Sequence, residues 1–510
     1  MMRNYILAIL LITVHAQLAI SEIPSDSPEV GMFNVYFSLD EAIGYRDVRD
    51  DFAEVHAVGC NVVTHYFRSE YSLERPGQRF WAGLPGWLQR NPKQAGRLRE
   101  WKKIYGSSLG WTLFFWSAYI QEAYTQADGG LKALIGEMYG IFGPRRDWDA
   151  LKTFVKAISE FEKEHCPGSI AGWYIAEEPN SSRKRYSSEI ANQIIERIKS
   201  AESDAGVKHH KIYIDVSATK KRKKVSPFLK NVDVIMLSPD AYIWATNPPK
   251  YVEEAQYERI HHAVRTIREY AASVKNQKAK VLVVLQAYDW NKSGPLQPNH
   301  INMHQQVRYA LQPGLVDRGK YGYSPKWVEP PDGLWFWWWH DCKSQKIPLN
   351  PPLVRGERKG NGMIAINRWD ANTEGRWAEA IKTELQNKEN AVVIHGNEKW
   401  SGKVHIIGDV IIAEDGSLTI EPGTTVKFSV RDHFRGGQDT KRCELIVRGK
   451  LIAKGDKKRW ITLTSDSMNR RQSARPRKSK AGDWYGVRKE GAKAVIELEN
   501  CQVKYARVTP

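Results

Sequence analysis

Apolar runs of six or seven residues alternate with amphipathic stretches over most of the chain. Such a run predicts a buried strand, and a period of about 3.6 residues in the stretches between the runs predicts helices. Near-continuous apolar strands that alternate with helices indicate parallel strands covered on both faces. Eight runs are predicted as strands: Met32–Phe37, Asn61–Phe67, Gly110–Trp116, Ile170–Ala176, Lys211–Val216, Val232–Leu237, Lys280–Gln286 and Gly333–Trp339.

The intervening segments complete a repeated strand–helix series. Eight units fit a (β/α)8 TIM barrel over residues 28–388, since this fold takes about 250 residues plus insertions. A doubly wound open sheet is the alternative, but no GxGxxG fingerprint follows the first strand. The predicted helices include Asp47–Val58, Asp147–His165, Ser187–Ser203, Glu253–Val274 and, after the eighth strand, Asn372–Gln386.

After residue 390 the helical period disappears, and short strands with Gly and Asp between them remain. Gly408–Gly416 (GDVIIAEDG) is similar to Gly449–Gly455 (GKLIAKG). Repeated short strands with glycine turns predict a solenoid or a sandwich over residues 391–510. Gly408–Phe428 and Gly482–Gly491 resemble the opening coils of bacterial right-handed parallel β-helix domains. Because the ends of a solenoid need caps, we expect either that the sequence is a truncated fragment or that something else covers the C-terminal end of the β-helix.

The composition is globular and basic. The chain has 510 residues, 42% hydrophobic and 26% charged, which excludes a disordered or multi-span membrane protein. Its net charge is +18, of which +10 lies after residue 390. Lys220–Lys224 and the segment Arg470–Lys480 are dense basic clusters. They are either solvated charge runs or sites that attract an anionic glycan or envelope surface.

The N-terminus has the layout of a secretory signal peptide. Arg3 precedes an apolar run from Tyr5 to Val14, and small residues follow at cleavage positions up to Ser21. The alternatives are a buried first strand or a membrane anchor, but the run is short for a span of about 20 residues. We therefore expect residues 1–21 to be removed and the mature chain to be secreted. No transmembrane segment is expected in it, and export argues against a nucleic-acid partner.

Metal and cofactor motifs are not found in the sequence. The five cysteines form no CxxC pair, and no HExxH, GxSxG or phosphate-binding loop is present. Adjacent histidine pairs lack the i, i+4 spacing that places two ligands on one helix face. We expect no metal and no cofactor.

The segment from Gly172 to Asn180, GWYIAEEPN, carries the strongest candidate chemistry. Glu177 and Glu178 end the predicted fourth strand and precede Pro179, and the carboxyl ends of barrel strands are where catalytic groups lie. Two acids this close do not both ionise easily, so the pKa of one of them is expected to rise. A raised pKa would suit that residue to act as a general acid. The alternative is an ordinary charged loop.

This segment resembles the Asn-Glu-Pro motif of clan-A (β/α)8 glycoside hydrolases. The resemblance implies that Glu178 is the general acid/base, whereas Glu177 replaces the asparagine that contacts the sugar. The family places its nucleophilic glutamate at the end of strand 7, where this chain has Gln286. A glutamine cannot form the glycosyl ester, so the retaining pair is not supported, and Gln286 is expected to bind substrate or water.

A second carboxylate has to come from another strand end. Asp240 and Asp289 are favoured by position, and Asp40, Asp215 and Asp341 are the other candidates. Each of these residues alone is more often a turn residue or helix cap. Retaining enzymes need carboxyls about 5–5.5 Å apart and inverting enzymes about 6.5–9.5 Å.

Aromatic residues suggest a sugar cleft, because amphipathic rings stack on sugars and their polar groups bond hydroxyls. The chain has 19 Trp and 22 Tyr against 14 Phe. For any single ring, core packing is the alternative. The candidates at or just beyond predicted strand ends are Trp116, Tyr242, Trp244, Tyr288, Trp290, Trp337 and Trp339.

The sequence therefore predicts a secreted glycoside-hydrolase-like protein that acts on a polysaccharide. A non-catalytic carbohydrate-binding or cell-surface protein on a degenerate barrel is the alternative, and Gln286 is its best support. A polysaccharide lyase on the β-helix is a third interpretation, for which the C-terminal segment is short.

Overall fold

A computed structural model describes residues 28–33, 48–65, 92–179, 186–217, 222–238, 254–286, 300–316, 326–337, 377–466 and 478–508. Its first part is a closed barrel of eight parallel strands, which confirms the predicted barrel class. The strands are β1 (Glu29–Phe33), β2 (Val62–Thr64), β3 (Lys132–Gly136), β4 (Ile170–Glu177), β5 (Lys211–Val216), β6 (Val234–Leu237), β7 (Lys280–Gln286) and β10 (Gly333–Trp337).

The strands run around the barrel in chain order. Each pairs in parallel with the next, and β10 lies between β7 and β1 to close the ring. Alternate residues point inward and form a packed apolar interior, as the two-residue period of a strand requires. These inward residues are Phe33, Val62, Leu134, Tyr174, Tyr213, Val234, Met236, Leu282, Val284 and Trp335.

Helices cover the outside of the barrel. Their apolar faces form one large core with the outward side chains of the strands. They are α1 (Val48–Val58), α2 (Pro92–Tyr105), α3 (Ser107–Gln126), α4 (Met138–Phe142), α5 (Trp148–His165), α6 (Ser188–Asp204), α7 (Arg222–Val225), α8 (Glu254–Ala272), α9 (His300–Leu311) and α10 (Trp377–Gln386).

The predicted third strand is wrong. Gly110–Trp116 lies inside helix α3, and the third barrel strand is β3, Lys132–Gly136. The helix is buried along much of its length, so its sequence lacks the polar face that would have revealed a helical period. A short apolar run without that period cannot be distinguished from a buried strand by pattern alone.

Parallel strands also build the C-terminal part. An antiparallel pair, β8 (Gly314–Val316) and β9 (Lys326–Val328), precedes β10 in the chain. Beyond α10, the described residues contain strands and no helix. The strands of this part are β11 (Val392–Trp400), β12 (Lys403–Ile406), β13 (Val410–Ile420), β14 (Thr425–Phe428), β15 (Glu444–Val447), β16 (Lys450–Lys454), β17 (Ile461–Ser465), β18 (Trp484–Lys489), β19 (Val495–Glu499), β20 (Cys501–Val503) and β21 (Ala506–Val508).

These strands stack in successive layers. The first half of β13 pairs with β15 and the second half with β16, while β14 pairs with β17 in a separate sheet. Each of the three layers that start at β11, β13 and β15 thus contributes three segments in parallel register with the next layer. In the fourth layer, β18 pairs with β21. The similar sequences Gly408–Gly416 and Gly449–Gly455 fall in consecutive layers.

Helix α9 joins the barrel to the C-terminal sheets through buried polar contacts. The amide of Gln305 donates to the carbonyl of His405 at 2.8 Å and accepts the N–H of Ile407 at 2.7 Å. His300 hydrogen-bonds Glu398 on the same side. Because these contacts are buried and specific, they fix the position of the sheets against the barrel.

Among the described helices, none combines the length and the apolar character that a membrane span requires.

Candidate functional site

Four carboxylates lie at the carboxyl ends of three neighbouring barrel strands. Glu137 directly follows β3, Glu177 ends β4, Glu178 follows it, and Asp215 is the penultimate residue of β5. In a (β/α)8 barrel this rim carries the active site. The strand-end position predicted for Glu177 and Glu178 is therefore observed.

An irregularity in β4 sets the direction of these side chains. Tyr174 pairs with Tyr213, and Glu177 pairs with Asp215, so three steps along β4 match two steps along β5. One extra residue in a strand is a β-bulge. Asp215 lies two residues after the inward-facing Tyr213 and shares its face. Since laterally paired residues lie on one face, Glu177 is brought to the barrel-interior side together with Asp215.

The two adjacent main-chain N–H groups of the site are bonded in opposite directions. The N–H of Glu177 donates to Oε1 of Glu137 at 3.0 Å, on the β3 side. The N–H of Glu178 donates to the carbonyl oxygen of Asp215 at 2.9 Å, on the β5 side. Glu178 has a φ of 43°, in the left-handed region that non-glycine residues seldom adopt. Such a conformation persists where its surroundings hold it, and it is common at functional sites.

Asp215 is a fully buried acid beside other acids. Its side chain is 0% exposed. Oδ1 accepts the N–H of Ser238 at 3.1 Å, and Oδ2 bonds the Ser238 hydroxyl at 2.5 Å. Burial raises the pKa of Asp215 well above its usual range, and the charge of Glu178 and then that of Glu177 add to the increase. This raised pKa belongs to Asp215, which lies outside the Glu177–Glu178 pair on which the sequence predicted one.

Glu137 connects three chain segments of the rim. Its carboxylate is 2% exposed and hydrogen-bonds the side chain of Tyr186 in addition to the Glu177 N–H. Burial raises the pKa of Tyr186, and the charge and hydrogen bond of Glu137 raise it further. The Tyr186 ring packs on that of Tyr139 with centroids 4.1 Å apart. The hydroxyl of Tyr139 accepts the N–H of Ser187 at 2.9 Å, so both flanks of the β4–α6 connection are fastened to one place.

Of the other predicted site residues, two lie at the rim, one lies elsewhere, and the rest fall outside the described residues. Gln286 ends β7 and pairs laterally with Trp337 at the end of β10, so both backbones lie at the predicted rim. Trp116 does not, because it lies in α3, is 0% exposed and packs on Phe115 and Tyr119. Its prediction as a sugar-binding residue is wrong. The remaining candidates lie outside the described residues: Asp40, Asp240, Tyr242, Trp244, Tyr288, Asp289, Trp290, Trp339 and Asp341.

Sequence reasoning missed Glu137. The misplaced third strand hid it, although the run from Lys132 to Gly136 followed by an acid carries the same signal as the end of β4. From the sequence, Asp215 is only a minor candidate. Its significance comes from the bulge in β4 and from Ser238, neither of which has a sequence signature.

A cavity of about 1090 Å³ opens at the opposite end of the barrel. Its lining includes residues at the starts of strands, among them Glu29, Lys132, Lys211 and Lys280. Glu29 accepts the Tyr213 hydroxyl there at 2.7 Å. The amino end of a barrel serves stability rather than chemistry, so the candidate site remains at the rim that carries Glu178.

The described part of the chain offers no ready set of ligands for a bound metal ion. No group of three or more His, Cys, Asp and Glu side chains there is arranged to hold an ion. The described carboxylates at the rim can instead exchange protons and accept hydrogen bonds.

Solved structures that resemble this chain include glycoside hydrolases. A GH5_18 protein from Streptomyces cattleya, in complex with GlcNAc, is 11% identical over 74% of this chain and 85% of its own, with a TM-score of 0.41. A β-glucuronidase from Ruminococcus gnavus in complex with D-glucuronic acid is 10% identical over 61% of this chain and 42% of its own, with a TM-score of 0.33. A family 1 glycoside hydrolase from Thermotoga maritima is 12% identical over 57% of this chain and 77% of its own, with a TM-score of 0.30.

No protein-family model and no curated protein matches the chain. Because the TM-scores of these structures are all below 0.5, the interpretation of the site rests on its own geometry.

Proposed function

We propose that the barrel is a glycoside hydrolase in which Glu178 is the general acid/base. The observation that carries this proposal is the hydrogen bond from the Glu178 N–H to Asp215, which fixes Glu178 in a left-handed turn at the carboxyl end of β4. A general acid needs such a fixed position at the rim where substrate binds. The neighbouring carboxylates favour retention of a proton in the cluster.

The mechanism differs from that of an enzyme with a nucleophile on strand 7. Gln286 ends β7, and an amide cannot form a covalent glycosyl ester, so we propose direct attack by water. Asp215 is unsuited to activate that water, because it is fully buried and both its oxygens are bonded to Ser238. Asp240 and Asp289 are the proposed candidates for the base.

The test is polysaccharide hydrolysis by a matched pair of variants. The protein is incubated with a panel of neutral and anionic polysaccharides, and new reducing ends are measured. Glu178→Gln should lower the rate by about 10²–10⁴-fold, the usual contribution of general acid catalysis. Glu177→Gln removes the adjacent carboxylate and should have a much smaller effect. Wild-type rates in a folded Glu178→Gln variant would refute the assignment.

The presence of Gln286 favours a second candidate function, carbohydrate binding without hydrolysis. In that case binding to immobilised polysaccharide is measurable while no reducing ends are released. Glu178→Gln would then leave the affinity largely unchanged.

We further propose that the C-terminal sheets form a right-handed parallel β-helix. Three parallel segments per layer and the repeated glycine-bounded sequences support this proposal. A crystal structure should show the three segments of each layer winding into one right-handed coil, with adjacent layers about 4.8 Å apart. A compact C-terminal sandwich would contradict it.

Secretion and an anionic glycan partner are also proposals. They rest on residues 1–21 and on the clusters Lys220–Lys224 and Arg470–Lys480. Binding to an anionic polysaccharide should weaken as salt rises from low to physiological concentration, since the Debye length shrinks to about 8 Å. Salt-independent binding would contradict the role of the basic clusters, and N-terminal sequencing of exported protein would test cleavage at residue 21.

A further inference from the structure

We propose that Glu137 is a positioning residue that holds the Glu177–Glu178 turn in its working shape. This inference rests on the proposed function of Glu178. Glu137 would not contact the scissile bond. It would act through the main chain of the residue that precedes the proposed acid.

The end of β3 creates the need for such a residue. Because β3 ends at Gly136, which pairs with Tyr174, its ladder with β4 stops three residues before Glu177. A buried N–H left without a partner costs about 1–3 kcal/mol. The carboxylate of Glu137 bonds the Glu177 N–H at 3.0 Å, as a strand carbonyl would in an unbroken ladder.

The next N–H explains why this bond bears on Glu178. Glu178 is held by Asp215 from the other side and has a φ of 43°. A left-handed residue is stable only where neighbouring contacts determine its conformation. If the Glu177 N–H is released, a hydrogen bond that helps to hold this turn is lost, and the position of Glu178 is less tightly held.

Glu137 also fastens the far end of the connection that follows the site. It hydrogen-bonds Tyr186, which packs on Tyr139, and Tyr139 in turn bonds the N–H of Ser187 at the start of α6. One buried carboxylate therefore links the exit of β4 to the entrance of α6. A side chain with a purely local role would need only one of these contacts.

Hydrogen exchange of the site peptide tests the proposal without any substrate. Glu137→Ala should speed exchange of the Glu177 amide about tenfold, as expected for loss of about one hydrogen bond. Glu137→Gln keeps an oxygen acceptor and should restore slow exchange. Glu162→Ala is the matched control, because Glu162 is also buried and accepts main-chain N–H groups, those of Gly168 and Ile170.

The catalytic readout separates positioning from stability. Glu137→Ala should lower kcat about 10²-fold with little change in KM, because a displacement near 1 Å can have that effect. Glu137→Gln should recover most of kcat. Tyr186→Phe, which removes only the hydroxyl, should fall between the wild type and Glu137→Ala.

The outcomes distinguish this inference from the proposed function. Unchanged exchange at Glu177 in Glu137→Ala, or a uniform increase equal to that of Glu162→Ala, would overturn the positioning role. If the wild type hydrolyses no polysaccharide, the proposed function fails. Exchange at Glu177 then still decides whether Glu137 holds the turn.

Discussion

Glu178 and Asp215 are joined by a main-chain hydrogen bond of 2.9 Å across the ends of β4 and β5. The bond places an acid in a left-handed turn directly beside a second acid that is fully buried. A left-handed turn and a buried acid with a raised pKa therefore lie at one point of the rim. Two predictions follow from this relationship, and two concern the framework that supports it.

The left-handed turn predicts an unusual order of stability at position 178. Glu178→Gly should be more stable than Glu178→Val by about 1–3 kcal/mol, because glycine adopts positive φ freely and a β-branched residue does not. Chemical denaturation of both variants measures the difference. At the exposed helical position Glu164 the same two substitutions should give the opposite order, since glycine is the poorer helix former. An identical order at both positions would contradict the prediction.

The burial of Asp215 predicts a specific pH dependence of stability. Burial and the charge of Glu178 raise its pKa in the folded protein above the unfolded value near 3.9. The folded state then binds more protons than the unfolded state, so this contribution is complete below that pH and is lost as pH rises.

Asp215→Asn should remove this slope. The free energy of unfolding is measured from pH 4 to 9 for the wild type, Asp215→Asn and the exposed control Asp204→Asn. The wild type should lose stability relative to Asp215→Asn as pH increases, while Asp204→Asn follows the wild type. Parallel curves for the wild type and Asp215→Asn would show that Asp215 titrates normally.

His210 forms a buried ionic bridge at the amino end of the barrel. Its Nδ1 bonds Glu202 at 2.6 Å, and its Nε2 lies 3.2 Å from Glu162. Burial alone would lower the pKa of His210, but the hydrogen bonds and charges of the two glutamates outweigh it and raise the pKa to about 9. The contribution is thus fully present below pH 6.5 and is lost as pH rises through about 9.

His210→Gln should therefore lower the free energy of unfolding by about 3 kcal/mol at pH 7, because it removes the cation that bridges two buried carboxylates. The difference from wild type should shrink above pH 9. His209→Gln is the control, since His209 is half exposed and contacts only one of these carboxylates. An effect of similar size at both positions would show that the bridge is not the cause.

Gln305 predicts how the barrel and the C-terminal sheets unfold. Its amide bonds His405 and Ile407 from a fully buried position. Gln305→Leu should lose about 2–4 kcal/mol because two buried main-chain groups lose their partner. Thermal unfolding should then separate into two transitions. Gln312→Leu is the control: it removes one 3.3 Å contact with Asn390 and should keep a single transition. Identical thermal unfolding curves for the two variants would contradict the role of Gln305.

Local patterns determined much of this protein. The apolar runs from Lys211 to Val216 and from Lys280 to Gln286 match β5 and β7 to the residue, because strands buried on both faces have a continuous apolar sequence. The rim position of Glu177 and Glu178 followed from the same pattern. Even the mismatch at Gln286 was readable, since it depends only on where one strand ends.

Tertiary structure decided the rest. Whether Gly110–Trp116 is strand or helix depended on packing, because a helix buried on several sides leaves no periodic signal. The bulge in β4, the bond from Glu177 to Glu137 and the burial of Asp215 against Ser238 join residues far apart in the chain. The sequence determines which strand ends carry acids, but the register between strands decides which of those acids meet and which one has a raised pKa.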